Sequence, residues 1–351
     1  MHRRPDLVVR GGRCRGVCSD MVQQLRRLQC PLLWPAAAGR APSKAELYKR
    51  LDSTPHRPTL WHVAVEYIDI ACQFARLRIL WKSRELLEEV YAILMEDEAG
   101  AADHEESLLR RYRAGLKHVV DASWLMVRED QAMRRGLALP DGTPLTHVLL
   151  YDELDNRQRA SVWAMRSLMG RGDAEAARKA LELEPDEGQW LYVQGLSMRS
   201  ARARKRALDL DDLEPAYTPN ELSVFLKAYG QRPNPQTILR LARCFVDGKE
   251  QDRKRCDELL REALERFPRS AYVQLQSGHL FESLGRGARD DRRAKICFQQ
   301  ALHLGQHPHW LRACLEYGLF CLRRGDVREG RAYYNMAVKF FPEAGILSIF
   351  L

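Results

Sequence analysis

An all-α, right-handed solenoid of helix-turn-helix repeats is the fold predicted by this 351-residue sequence, on three observations. The first is the stretch from Arg312 to Pro342, which has the parts of one complete repeat. Gly318, Gly330 and Ala337 are small where two antiparallel helices must touch, and Tyr317 and Tyr334 fill the space beside them. Gly325 is placed to cap the first helix, and Pro342, which lacks an amide donor, stops the second. The second observation is recurrence. Ala180, Ala228, Ala263, Ala301 and Ala337 follow one another at steps of 48, 35, 38 and 36 residues, in the range of a solenoid period. The third is apolar spacing at i, i+3, i+4 and i+7, the pattern of helices that bury one stripe.

In chain order, residues 1–43 hold eight arginines against Asp6 and Asp20 and are rich in Gly, Pro and Cys without sustained periodicity. They read as a disordered basic tail. Cys14, Cys18 and Cys30 have no fourth ligand at a recognised spacing, so no metal is expected there. From Ser43 the pattern becomes helical, and residues 44–139 form an N-terminal helical region. Thr59 caps a helix carrying Trp61, Val65, Ile68, Cys72, Ala75 and Ile79, then Leu86, Val90 and Leu94, with a break expected near Trp81 to Ser83. A second helix runs from about Glu105 through Leu109, Tyr112, Leu116, Val120 and Trp124 to Met133. No repeat anchors are legible here, which leaves divergent repeats and a separate bundle both open. The turn cluster LeuProAspGlyThrPro at 139–144 marks the boundary with the repeat array, residues 145–351.

In the array, Tyr151 to Gly170 is a first helix with Ala160, Trp163, Ala164 and Leu168, and the short helix after it ends at Pro185. Gln189 to about Leu208 carries Trp190, Val193 and Gly195, and Ala228 lies in the helix that follows, before Pro233. Ala242 and Gly278 are the small residues of the next two first helices. The surplus residues of the longer steps, 248–255 and 285–293, are assigned to turns, where loop closure tolerates extra length. The last residues, GlyIleLeuSerIlePheLeu, are an apolar half-helix without a polar cap. They read as the start of a further repeat in a longer form, with folding back onto the second helix of the last repeat and self-association through this segment as the alternatives.

The net charge of +9 has six of its units in residues 1–43, and elsewhere acidic and basic residues are interspersed. That distribution argues against a surface built to track phosphates. No apolar run reaches the roughly 18 residues of a membrane span. Nine scattered cysteines fit a reducing compartment, so the expected location is cytoplasmic, or nuclear if the basic run at 199–206 acts as an import signal. The sequence has no phosphate-cradling glycine loop, nucleophile elbow or His-Glu metal helix, and His303, His307 and His309 read as an inter-repeat turn. The expectation is a non-enzymatic protein with no cofactor and no metal.

At every small or terminating position of Arg312–Pro342 this pattern resembles the tetratricopeptide repeat family. The resemblance implies that the first helix of each repeat lines a concave groove. Carried over, its register places Gln236, Leu239, Arg243, Val246 and Asp247 there from one repeat, and Tyr272, Leu275, His279, Glu282 and Ser283 from the next. Arg312, Leu315, Leu319, Leu322 and Arg323 come from the last. The best-known chaperone-binding members clamp a peptide's terminal carboxylate with Lys and Asn at these positions. Leucines, Arg243 and His279 stand here instead, so that activity is not implied. The expected function is a scaffold or adaptor that binds a peptide or helix along Leu239, Leu275, Leu315 and Leu319, with Arg243 and Arg312 reading acidic groups. Residues 218–305 also resemble the interferon-induced tetratricopeptide proteins, some of which bind RNA ends in a basic tunnel. This makes RNA, held by Arg243, Arg312, Arg323 and the 199–206 run, the alternative partner.

Overall fold

The computed structural model describes residues 28–34, 41–54, 59–100, 108–134, 150–170, 172–208, 217–246, 250–285, 288–305 and 309–340. Among these the chain forms α-helices and no strand. Five helices precede the array: α1 (Lys44–Ser53), α2 (Leu60–Arg76), α3 (Leu80–Gly100), α4 (Leu108–Arg111) and α5 (Arg113–Arg134). Five helix pairs follow: α6 (Asn156–Met169) with α7 (Ala174–Leu183), α8 (Gly188–Leu208) with α9 (Pro219–Gln231), α10 (Pro235–Phe245) with α11 (Glu250–Arg266), α12 (Ala271–Leu284) with α13 (Ala288–Leu304), and α14 (His309–Arg323) with α15 (Val327–Phe340).

Local chemistry sets the helix starts. Ser43 and Thr218 form reciprocal capping boxes with Glu46 and Glu221, and Thr59, Asp155, Asp173, Asn234 and Ser270 cap their helices with a side-chain oxygen. Pro219 and Pro235 occupy first-turn positions, where no amide is missed. Gly325 ends α14 in the left-handed region at φ 84°, and the Asp326 amide reaches back to the Cys321 carbonyl at 3.0 Å.

The alanine register holds. Ala180, Ala228, Ala263, Ala301 and Ala337 are all buried, each on the second helix of its pair, and Ala164 and Ala242 are buried on first helices. The glycine requirement is sharpest between α14 and α15. A Cβ on Gly318 would lie 2.7 Å from the Tyr334 backbone nitrogen and 3.0 Å from the Gly330 carbonyl, a clash of backbone with backbone.

Four expectations are corrected. The break after α2 falls at Leu77 to Ile79, ahead of Trp81, because Arg78 adopts a left-handed conformation (φ 68°) that no glycine announces. Residues 250–255 and 288–293, assigned to turns, extend the second helices α11 and α13. Asp290 and Asp291 in the first turn of α13 favour that start, as carboxylates do at a helix N-terminus. Part of the basic tail is folded: Leu28 and Cys30 are buried against Ala122, the Gln29 amide donates to His118 Nε2 at 3.2 Å, and Arg76 donates to the Pro31 carbonyl at 2.7 Å. A short apolar segment hidden among arginines and prolines is ordered by the surface it covers. Finally, the core does not divide at 139–145. One buried cluster runs from Leu47 to Val193 and a second from Tyr192 to Cys321, so the two meet on α8.

Cys14, Cys18, the 139–144 turn cluster, Asp247, His307 and the terminal GlyIleLeuSerIlePheLeu lie outside the described residues. Among the described residues no helix is long and apolar enough to cross a membrane.

Candidate functional site

The first helices of the pairs share a face. Tyr192, Leu196 and Arg199 on α8, and Gln236, Arg240 and Arg243 on α10, sit at i, i+4 and i+7, so each set forms one stripe. Tyr272, Gln276 and His279 repeat the spacing on α12. Tyr192, Leu196, Gln236, Arg240, Tyr272 and Gln276 of these stripes wall a cavity of about 460 Å³, to which α6 contributes Leu168 and Met169, α12 also Leu275, and α14 Arg312 and Ala313.

The far wall comes from outside the array. His62, Val65, Glu66 and Asp69 on α2 face the same cavity. Buried polar contacts hold α2 there: Gln189 Nε2 lies 3.4 Å from His62 Nε2, and Gln236 Nε2 lies 3.2 Å from His62 Nδ1. Thr59 Oγ1 is 2.8 Å from the same Nδ1. Beneath them Trp61 packs on Trp190. Arg50 bridges Glu66 at 2.8 Å and Asp69 at 2.5 Å.

The predicted site residues are partly brought together. Leu275 and Arg312 line the cavity. Leu239 does not: it is buried in the second core, and Arg240, one residue on and about 100° around the helix, takes its place. Arg243 is exposed one turn beyond Arg240, and Leu315 and Leu319 are half-buried on α14. Arg323 donates two hydrogen bonds to Glu282, both at 2.9 Å, and Arg312 pairs with Glu316. Their charges are compensated locally.

His279 stands edge-on to Phe298, with Nε2 3.5 Å from Glu316 Oε2. Burial holds its imidazole below the ordinary value, Glu316 opposes this, and the Arg312 charge adds to it. Because the folded chain prefers the neutral ring, the unfolded chain takes up the proton first as the pH falls. Stability is therefore full above about pH 6.5 and declines below it, down to the lowered folded value. Urea melts of the wild type and of His279→Gln at pH 7.5 and 5.5 should show a smaller acid loss in the variant.

Sequence reasoning missed Arg240, Tyr192, Gln276 and the whole α2 wall. The signal for Arg240 was legible: α8 and α10 carry several arginines and not one acidic residue. Nothing in the sequence announced α2. Among the described residues no group of three His, Cys, Asp or Glu side chains is placed to hold a metal ion.

No protein-family model and no curated protein matches the chain. Among solved structures it is similar to the MamA RS-1 ArsTM double mutant, with 16% identity over 53% of this chain and 96% of that one and a TM-score of 0.36. It is similar also to a human IFIT1 dimer with m7Gppp-AAAA, with 12% identity over 91% of this chain and 77% of that one and a TM-score of 0.36. The human IFIT1 dimer with PPP-AAAA gives 13%, 91%, 76% and 0.34. By its own helix pairing and alanine register the chain is an all-α solenoid of tetratricopeptide-like helix-turn-helix repeats.

Proposed function

We propose that the chain is a non-enzymatic scaffold that binds an extended peptide in the cavity between the first helices and α2. The observation that carries this reading is the lining. Leu168, Met169, Leu196 and Leu275 supply apolar surface, while Gln276, Tyr272 and Arg240 supply polar groups that can orient a backbone. The cavity is bounded on one side by α2 and on the other by the first helices of the pairs. RNA as the partner is the weaker reading. Two of the three groove arginines named for it are engaged by Glu282 and Glu316, and Arg202 of the basic run is paired with Glu221.

Partners captured on the full chain at low and high salt, with and without nuclease, test the reading. Peptide capture should persist at 0.5 M salt, whereas phosphate-driven binding should fall steeply. Gln276→Trp places an indole in the cavity from a half-buried position. It should abolish capture while leaving the melting temperature within about 2 °C, as for a surface change. Capture that survives Gln276→Trp, or that nuclease removes, would sink the proposal.

A further inference from the structure

The face that α2 turns to the cavity continues past it. His62, Glu66, Asp69, Gln73 and Arg76 stand at i, i+4, i+7, i+11 and i+14, one stripe along the helix. His62, Glu66 and Asp69 line the large cavity. Asp69, Gln73 and Arg76 line a second hollow of about 30 Å³, whose opposite side is formed by Arg166 and Met169 on α6 and by Gly170 and Asp173 just beyond it. Asp69 and Met169 belong to both. The two hollows are consecutive stretches of one furrow between α2 and the array. The first is open, and the second has room for a water or two.

What fills the second stretch is the chain itself, for Pro31 and Trp34 also line it. They belong to a turn in which the Leu33 and Trp34 amides donate to the Cys30 carbonyl at 2.9 and 3.2 Å, and the Trp34 indole donates to Gln29 Oε1 at 3.3 Å. Arg76 reaches from the stripe to the Pro31 carbonyl at 2.7 Å, the Gln29 amide donates to His118 Nε2 at 3.2 Å, and Leu28 and Cys30 are buried against Ala122 of α5.

Length sets what a ligand meets here. From His62 to Asp69 the stripe is about 10 Å long at 1.5 Å per helical residue. An extended chain advances about 3.3 Å per residue, so this stretch takes about three residues. A longer peptide lying along the α2 wall runs into Pro31 and Trp34.

We propose that the surface formed by Gln73, Arg76, Arg166 and Met169 continues the peptide groove, and that Pro31–Trp34 occupies it as a tethered competitor which a bound peptide displaces. This rests on the peptide reading above and names what the displacing end of the peptide carries. The segment displays the chemistry that fits: a backbone carbonyl presented to Arg76, and an aromatic ring sharing the hollow with Met169. A tethered segment competes at an effective concentration in the millimolar range, so the full chain binds such peptides weakly while the segment is docked.

The test uses the full chain and two variants of it. Leu28→Asp puts a carboxylate at a position that is 2% exposed and releases the anchor, whereas Trp34→Ala keeps Leu28 and Cys30 in place and empties the furrow. Release is read at Cys30, which is fully buried and whose thiol is pushed up by that burial to about 11. Iodoacetamide should label it slowly in the wild type and about tenfold faster or more in Leu28→Asp. Cys256 and Cys297, buried in the second core, should stay unlabelled throughout and report that the array is folded. The ligand probe is a degenerate nonapeptide library. Each variant should capture about tenfold more than the wild type, the factor expected when one buried apolar anchor is lost, and saturating library should speed Cys30 labelling in the wild type. A synthetic peptide of residues 27–35 carrying Cys30→Ser should suppress capture by Leu28→Asp, and a scrambled one should not.

Fast Cys30 labelling in Leu28→Asp with capture equal to the wild type would overturn the tethered competitor and leave the peptide reading standing. A fall in capture by Trp34→Ala would make Trp34 a fixed wall of the groove and overturn it as well. If Leu28→Asp is labelled at Cys256 and Cys297, it has lost its fold, and the rise or its absence in Trp34→Ala decides. A library captured by none of the three chains would overturn the proposed function, and with it a competitor that has nothing to displace it.

Discussion

Trp190→Ala is expected to cost about 3–5 kcal/mol, the range for truncating a fully buried indole. Its ring is completely enclosed, with centroids 4.5 Å from Tyr112 and 6.1 Å from Trp61, and its Nε1 donates to Glu184 Oε2 at 2.8 Å. Rings cannot close around the void as aliphatic chains do, so the loss should sit at the upper part of that range. The position matters beyond its size. Trp190 lies on α8, where the two buried clusters meet, and Trp61 beneath it precedes His62, which holds α2 against the cavity. Urea unfolding followed by circular dichroism should show the single wild-type transition split in the variant, with the part preceding α8 melting first. Peptide capture should be lost in the same chain, since one wall of the cavity is no longer fixed. An unsplit transition at an unchanged midpoint would mean that α8 is not the joint.

Glu221→Ala should be nearly as damaging, about 3–5 kcal/mol, because it removes one partner of a buried ion pair. The Glu221 carboxylate is 2% exposed and takes both hydrogen bonds from Arg202. It also accepts the Thr218 amide at 3.4 Å as part of the capping box that starts α9. With it gone, Arg202 loses the carboxylate that takes its two hydrogen bonds, in a helix that has no acid of its own. Replacing both partners by apolar residues, Arg202→Met with Glu221→Leu, should recover most of the loss, since it removes the stranded charge along with the pair. Denaturation midpoints of the single and double variants decide this. If the double variant is as unstable as the single one, the damage lies in the lost cap.

The repeat architecture was present in the one-dimensional pattern because its determinants are local and periodic. Ala180, Ala228, Ala263, Ala301 and Ala337 must be small wherever two helices cross, and Ser43, Thr59 and Gly325 act within a turn of their own position. The candidate site was only half legible. Leu275 and Arg312 were placed on the concave face, but Leu239 was chosen over Arg240, since one residue is about 100° of helix and a repeat register leaves that rotation loose.

By itself, then, the sequence determined the helix pairs, their caps and the acid-free character of α8 and α10. Tertiary structure alone decided that Leu28 and Cys30 dock on α5, that the core is continuous across 139–145, and that α2 closes the groove with His62, Glu66 and Asp69. It also decided that Glu221 and Glu282 pair with Arg202 and Arg323. Arg312 and Glu316 are one helical turn apart, but the contacts that fix Glu221, Glu282 and His62 join partners between 19 and 174 residues apart in the chain. Pairing at such distances is settled by burial and charge balance in the folded molecule, which no local spacing encodes.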